Sequence, residues 1–144
     1  MSRFVRPQTR TLTLANGDHL IVRERLTAGE QRAHVARMYP TDAAGVPRRD
    51  PLMFRVAAVL AYLLDWNLRD DAGNAVLIRD LAAADLLQVL DSLETDSFDE
   101  IYDAIAAHDA AMTTEREQQK KTDGATPSSA TSLSLVASGG ATNG

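Results

Sequence analysis

No cysteine occurs among the 144 residues. Disulfides, thiolate metal sites and cysteine nucleophiles are therefore excluded, and a reducing compartment is expected. Lysine is nearly absent as well, with only Lys120 and Lys121 against 13 Arg. That bias, with the many Ala, fits a GC-rich genome and is not by itself a nucleic-acid signature. The first ten residues carry charges but no apolar core of the kind a secretory signal needs, so a cytoplasmic protein is expected. No GxGxxG or GxxxxGK[ST] run is present to cradle a phosphate, none of the three His sits in a recognisable hydrolase signature, and no internal repeat is visible.

What is present in excess is apolar surface in one place. From Leu52 to Leu64 every residue except Arg55 is apolar. A surface helix shows one apolar stripe, so a helix apolar all round is expected to be buried on nearly all sides. It is too short to be a membrane span, since 13 residues rise only about 20 Å against a hydrocarbon core of about 30 Å. The rest of a small domain, or a partner, must cover it. Phe54, Leu60 and Leu64 on this helix, Trp66 just beyond it, and Ile101 and Ile105 further on are the candidate core and interaction anchors. Trp66 reads as a core anchor closing the end of the helix rather than as a binding platform.

Charge is divided unevenly. Residues 1–50 carry nine Arg against five acids, a net +4, and residues 51–144 carry six bases against fifteen acids, a net −9. Such asymmetry favours head-to-tail self-association or an oppositely charged partner, and salt screens it. DNA binding through the first third is a weak reading, because the Arg are scattered and only Phe4 and Tyr39 lie among them.

The spacing of apolar and turn-forming residues predicts an α+β fold, mainly helical. Thr11 to Val22 reads as a β-hairpin with Asn16-Gly17 in a type I′ turn. That turn sets Leu12 opposite Ile21 and Thr13 opposite Leu20, which leaves both faces mixed and the register open. Thr27 and Glu30 form a capping box that opens a surface helix running to about Met38. Pro40 to Pro51 is a loop, and Asp50-Pro51 starts the buried helix, Asp50 as N-cap and Pro51 at the first helical position. A second short hairpin is expected over residues 66–78, turning at Asp71 to Asn74. Asp80 caps a helix to about Leu90, with Leu86, Leu87, Leu90 and Leu93 on its buried side. Ser97 and Glu100 form another capping box, and Phe98, Ile101, Ile105, His108 and Met112 recur at helical spacing. The last helix can continue through residues 115–121. These readings divide the chain into a flexible N-terminus (1–9), one domain (10–121) and a disordered Ser/Thr/Ala/Gly tail (122–144) with too little apolar content to fold alone.

No catalytic, cofactor-binding or metal site emerges. Residues 65–70 begin like a calcium loop but place Asp70 where the loop needs Gly, and Asp70, Asp71 and Asn74 are better explained as turn formers. His108 has Met112 where a second ligand at i+4 would stand, so it reads as a helix residue with one hydrogen bond. His19 and His34 read as exposed, and Asp99, Glu100 and Asp103 as a solvated acidic face.

Three segments taken together, residues 16–30, 65–76 and 98–108 with its polar extension, resemble the small tail proteins of long-tailed (siphovirus-type) bacteriophages, in particular the tail assembly chaperones. The resemblance spans roughly residues 10–120 and rests on loose patterns rather than an invariant motif. It implies a non-enzymatic helper in the cytoplasm of the bacterial host that binds the tape-measure protein and recruits tail-tube subunits, with no cofactor and no membrane. It also implies a longer form made by ribosomal frameshifting, with which adjacent Lys120 and Lys121 are compatible. A homo-oligomer is expected from the over-apolar helix. The alternatives are a head–tail connector or minor tail protein, and third a DNA-binding regulator; nucleic acid is the least favoured partner.

Overall fold

The computed structural model of the chain describes residues 3–124. Residues up to Asp109 form one compact unit, and Ala110 onward belongs to a second. The fold is α+β and mainly helical. Its elements are β1 (Thr9–Thr13), β2 (His19–Arg23), α1 (Ala28–Met38), α2 (Pro51–Tyr62), β3 (Leu63–Trp66), α3 (Ala83–Asp91) and α4 (Thr95–Gly124). The three strands form one antiparallel sheet in the order β1-β2-β3.

The first hairpin forms where expected but in a different register. Leu12 faces Leu20 and Thr13 faces His19. The turn is not type I′, because Gly17 has φ +88° while Asn16 does not have a positive φ. Gly17 N–H donates to the Leu14 carbonyl (3.1 Å) and Leu14 N–H to the Asp18 carbonyl (2.7 Å), the pattern of a three-residue loop in which a type I turn is followed by one left-handed residue. The one-residue shift matters because side chains alternate across a strand. It places Leu12, Leu20 and Val22 on one face and the Thr residues of β1 on the other, resolving the mixed faces of the two-residue loop. Leu20 and Val22 are fully buried.

The same five-residue loop recurs twice. Asp42 to Val46 and Asp70 to Asn74 repeat both backbone bonds, with Gly45 and Gly73 in the left-handed position at φ +82° and +83°. In both, the Asp side chain accepts from two loop N–H groups: Ala44 and Val46 bond Asp42 (both 2.9 Å), and Ala72 and Asn74 bond Asp70 (3.0 and 2.8 Å). Asp70 is thus a turn former as expected. Arg48 adds an ion pair to Asp42, and that guanidinium, with the Val46 and Ala44 N–H groups, holds the Asp42 carboxyl below its ordinary range. The repeat is one of local geometry: across residues 14–18, 42–46 and 70–74 only the Gly at the fourth position is common to all three.

Thr27 caps α1 as expected: its hydroxyl accepts from Glu30 N–H (3.1 Å), and Glu30 accepts from Thr27 N–H (2.9 Å). No residue of α1 is buried. Asp50 caps α2, accepting from Leu52 N–H at 3.0 Å, with Pro51 in the first turn. Two expectations for α2 fail. The helix ends at Tyr62, and Leu63 and Leu64 belong to β3, which pairs with β2. Leu is a good helix former, but tertiary context overrides intrinsic propensity, and here burying Leu63 and Trp66 against the sheet outweighs one more turn. Nor is the helix buried on all sides: Ala57 and Val59 to Tyr62 are buried, whereas Leu52 is 86% exposed.

The second hairpin shrinks to a single bridge between Arg69 and Ala75, flanked by a Val76 to Leu68 backbone bond (3.1 Å). Trp66 closes it instead, donating its indole N–H to the Val76 carbonyl at 2.7 Å. Asp80 does not cap α3. The N-cap is Ala82, without a side-chain bond, and Asp80 takes a left-handed φ of +64°. Ser97 caps nothing either, since α4 begins at Thr95 and Phe98 N–H already donates to the Glu94 carbonyl. The expected reciprocal partner, Glu100, accepts instead from Ala15 N–H of the first hairpin loop at 2.8 Å. Helix α4 runs through Gly124, three residues past the expected end of the domain; the rest of the tail lies outside the described residues.

The core joins one sheet face to the C-terminal half of α2, to Leu86 and Leu90 of α3 and to Ile101 and Ile105 of α4. Fully burying a side chain of this size contributes about 1.5–3 kcal/mol. His108 is buried, and its Nε2–H donates to the Arg23 carbonyl at 2.9 Å, since a carbonyl can only accept. Tyr62 meets the imidazole edge-on (centroids 5.7 Å apart) and donates its hydroxyl to Asp109 at 2.6 Å. His19 and His34 are half-buried rather than exposed, and the His34 Nδ1 is a buried atom without a hydrogen bond.

Candidate functional site

The sheet face turned away from the core forms one wall of a cleft of about 610 Å³, within the size range of sites that hold small ligands or peptide side chains. Pleating puts Thr9 of β1 and Ile21 and Arg23 of β2 on this face. The segment from Ile78 to Leu86 forms the opposite wall, and Arg37 of α1 reaches it. The edges of Leu60, Leu63 and Leu64 supply an apolar floor.

The rim is charged, and most of its charges are already matched. Arg79 donates to Asp65 through Nη2 (2.9 Å) and Nε (3.2 Å). Arg23 donates to the Ala61 carbonyl (2.8 Å) and pairs with Glu30 (2.9 Å). Among the described residues Arg37 and Asp80 have no hydrogen-bond or ion-pair partner, which leaves one cation and one anion on the rim. Asp80 owes its position to the left-handed backbone, which Asp tolerates better than most residues. The lining contains no His, Cys or Ser. The cleft thus sets an apolar floor between separated charges.

The candidate anchors divide between places. Leu60 and Leu64 meet at the cleft. Trp66, Ile101 and Ile105 belong to the core, and Leu60 shares in both. Phe54 stands apart, half-buried beneath the Arg49 guanidinium at 4.6 Å. Arg23, Arg37, Asp80 and Leu81 are cleft residues that sequence reasoning did not single out. Asp80 entered that reasoning only as a helix cap, and nothing local marks the others.

The acidic stretch is partly committed too. Asp99 pairs with Arg55 at 2.6 Å and Glu100 holds the hairpin loop. Among the described residues no group of three His, Cys, Asp or Glu side chains could hold a metal ion, and no helix is long and apolar enough to cross a membrane. Comparison with protein-family models, with curated proteins and with solved structures finds no match.

Proposed function

We propose that the protein is a non-enzymatic assembly chaperone of a long-tailed bacteriophage, acting in the host cytoplasm to hold an apolar helix of the tape-measure protein and to bring tail-tube subunits to it. The observation that supports this reading best is the open cleft floored by Leu60 and Leu64, with Leu81 on its opposite wall and Arg37 and Asp80 unpaired at its rim. An amphipathic helix docks through apolar anchors at i, i+3, i+4 and i+7, with polar residues at the margin, and a cleft of this composition suits one. Docking leaves the client's apolar stripe covered until tube subunits replace the chaperone.

Co-expression with the tape-measure protein tests the reading. The client becomes more soluble and the two co-purify, and Leu81→Asp abolishes capture while far-UV circular dichroism stays unchanged, because Leu81 is already 37% exposed. A client that stays insoluble beside the folded protein overturns the proposal. Mass spectrometry of purified particles then separates a chaperone, which is absent from them, from a connector or minor tail protein, which is present.

A further inference from the structure

Leu52 lies in the first turn of α2, almost fully exposed, with charges of opposite sign on its two sides. On one side is the loop that leads into the helix. Arg49 there is exposed and stacks on Phe54 at 4.6 Å, which holds its guanidinium beside the first turn. Backbone bonds from Asp50 to Met38 and from Arg48 to Pro40, both 3.0 Å, draw the end of α1 to the same corner. There Tyr39 and Val46 are 41% and 49% exposed. On the other side is α4. Arg55, one turn after Leu52, donates to Asp99 at 2.6 Å and lies 4.8 Å over the Tyr102 ring, so the first turns of α4 run beside this face of α2. Asp96 and Asp103 flank Asp99 at helical spacing and are exposed.

We propose that this surface is a two-fold interface with a second copy of the chain, Leu52 packing near the axis and Arg49 of each copy facing the partner's Asp96 and Asp103. A two-fold operation exchanges the two sides of a patch, so a surface with the Arg49 guanidinium on one side and the Asp96 and Asp103 carboxylates on the other is complementary to itself. A partner of a single charge sign would be attracted by one side and repelled by the other. The uneven charge along the sequence favours chains of copies joined head to tail. Folding instead brings the two signs together around Leu52, and adjacency closes the assembly at two. The inference does not depend on the identity of any client.

Sedimentation equilibrium of the full chain tests it. A dimer is expected at micromolar concentration, weakened several-fold between 50 mM and 500 mM salt because rim charges are screened. Leu52→Ser and Arg49→Glu each weaken it at least tenfold with unchanged circular dichroism. An equimolar mixture of Arg49→Glu with Asp103→Arg recovers a dimer, since each copy then offers the other an opposite charge. A strict monomer, a dimer indifferent to Leu52→Ser and Arg49→Glu, a mixture that fails to recover, or a mass that grows past two copies with concentration overturns the proposal; the last of these restores the head-to-tail arrangement.

Discussion

The two halves of α2 have similar side chains and opposite surroundings. Leu52, Met53, Phe54 and Val56 are exposed or half-buried, whereas Val59, Leu60, Ala61 and Tyr62 are buried. The difference arises from the connections at the two ends of the helix. Because the chain enters β3 directly at Leu63, the end of α2 is carried onto the sheet, where β2, α3 and α4 close around it. Its beginning emerges from a loop and meets the end of α1 and the flank of α4. Apolar content therefore tells how much surface needs cover, and topology decides which part of it receives cover from the same chain.

Substitution at the covered end breaks this contrast most severely. Leu60→Asp sets a carboxylate into the buried apolar cluster. An uncompensated buried charge costs several kcal/mol, against a total stability of about 5–15 kcal/mol for a domain of this size. Unfolded or insoluble protein is expected, read by circular dichroism and by recovery in the soluble fraction. A soluble, cooperatively melting Leu60→Asp protein would mean that the carboxylate escapes into the cleft Leu60 lines, and that the covered end is open too.

The junction between loop and helix gives a smaller effect. Asp50→Ala removes the bond from Leu52 N–H and leaves one helix N–H without its side-chain acceptor. Loss of such a cap costs about 1 kcal/mol, or roughly 4–8 °C in melting temperature for a domain of about 100 residues. A shift beyond 10 °C would show that the first turn of α2 is as tightly integrated as the last, and the contrast would fail at its boundary.

The same division between local and distant causes decides what is legible in the sequence. The Thr27–Glu30 box and the Asp50-Pro51 start are readable because each is complete within a few residues. The period of Ile101, Ile105 and His108 is readable because one helix face carries it. The register of the first hairpin is not, since its loop is held by Glu100 from the far end of the unit, 85 positions from Ala15. That same contact removes Glu100 from the expected capping box. The end of α2 escapes a sequence reading because Leu63 and Leu64 carry no mark that separates a helix continuing from a strand beginning; only pairing with β2 does. For the cleft, apolarity points to Leu60 and Leu64. Its rim of Arg37 and Asp80 joins residues 43 positions apart in sequence, one of them held in a backbone conformation that no neighbouring Gly signals.

The smallest effect on the isolated chain, and the one that sharpens the contrast most, belongs to Leu52→Ser. Its side chain keeps 86% of its surface in water, so its removal forfeits almost no burial, and exposed substitutions of this kind change stability by no more than about 0.5 kcal/mol. In a dilute thermal melt the variant and the parent therefore coincide. At higher concentration they separate, because a partner that binds only the folded state raises the melting temperature with protein concentration. The parent then melts progressively higher as the protein is concentrated, while Leu52→Ser stays at its dilute value. Coincident curves at every concentration would show that the uncovered end of α2 is left uncovered in solution as well. A variant already destabilised when dilute would show that Leu52 makes contacts within its own chain, and the two halves of the helix would differ less than their exposure indicates.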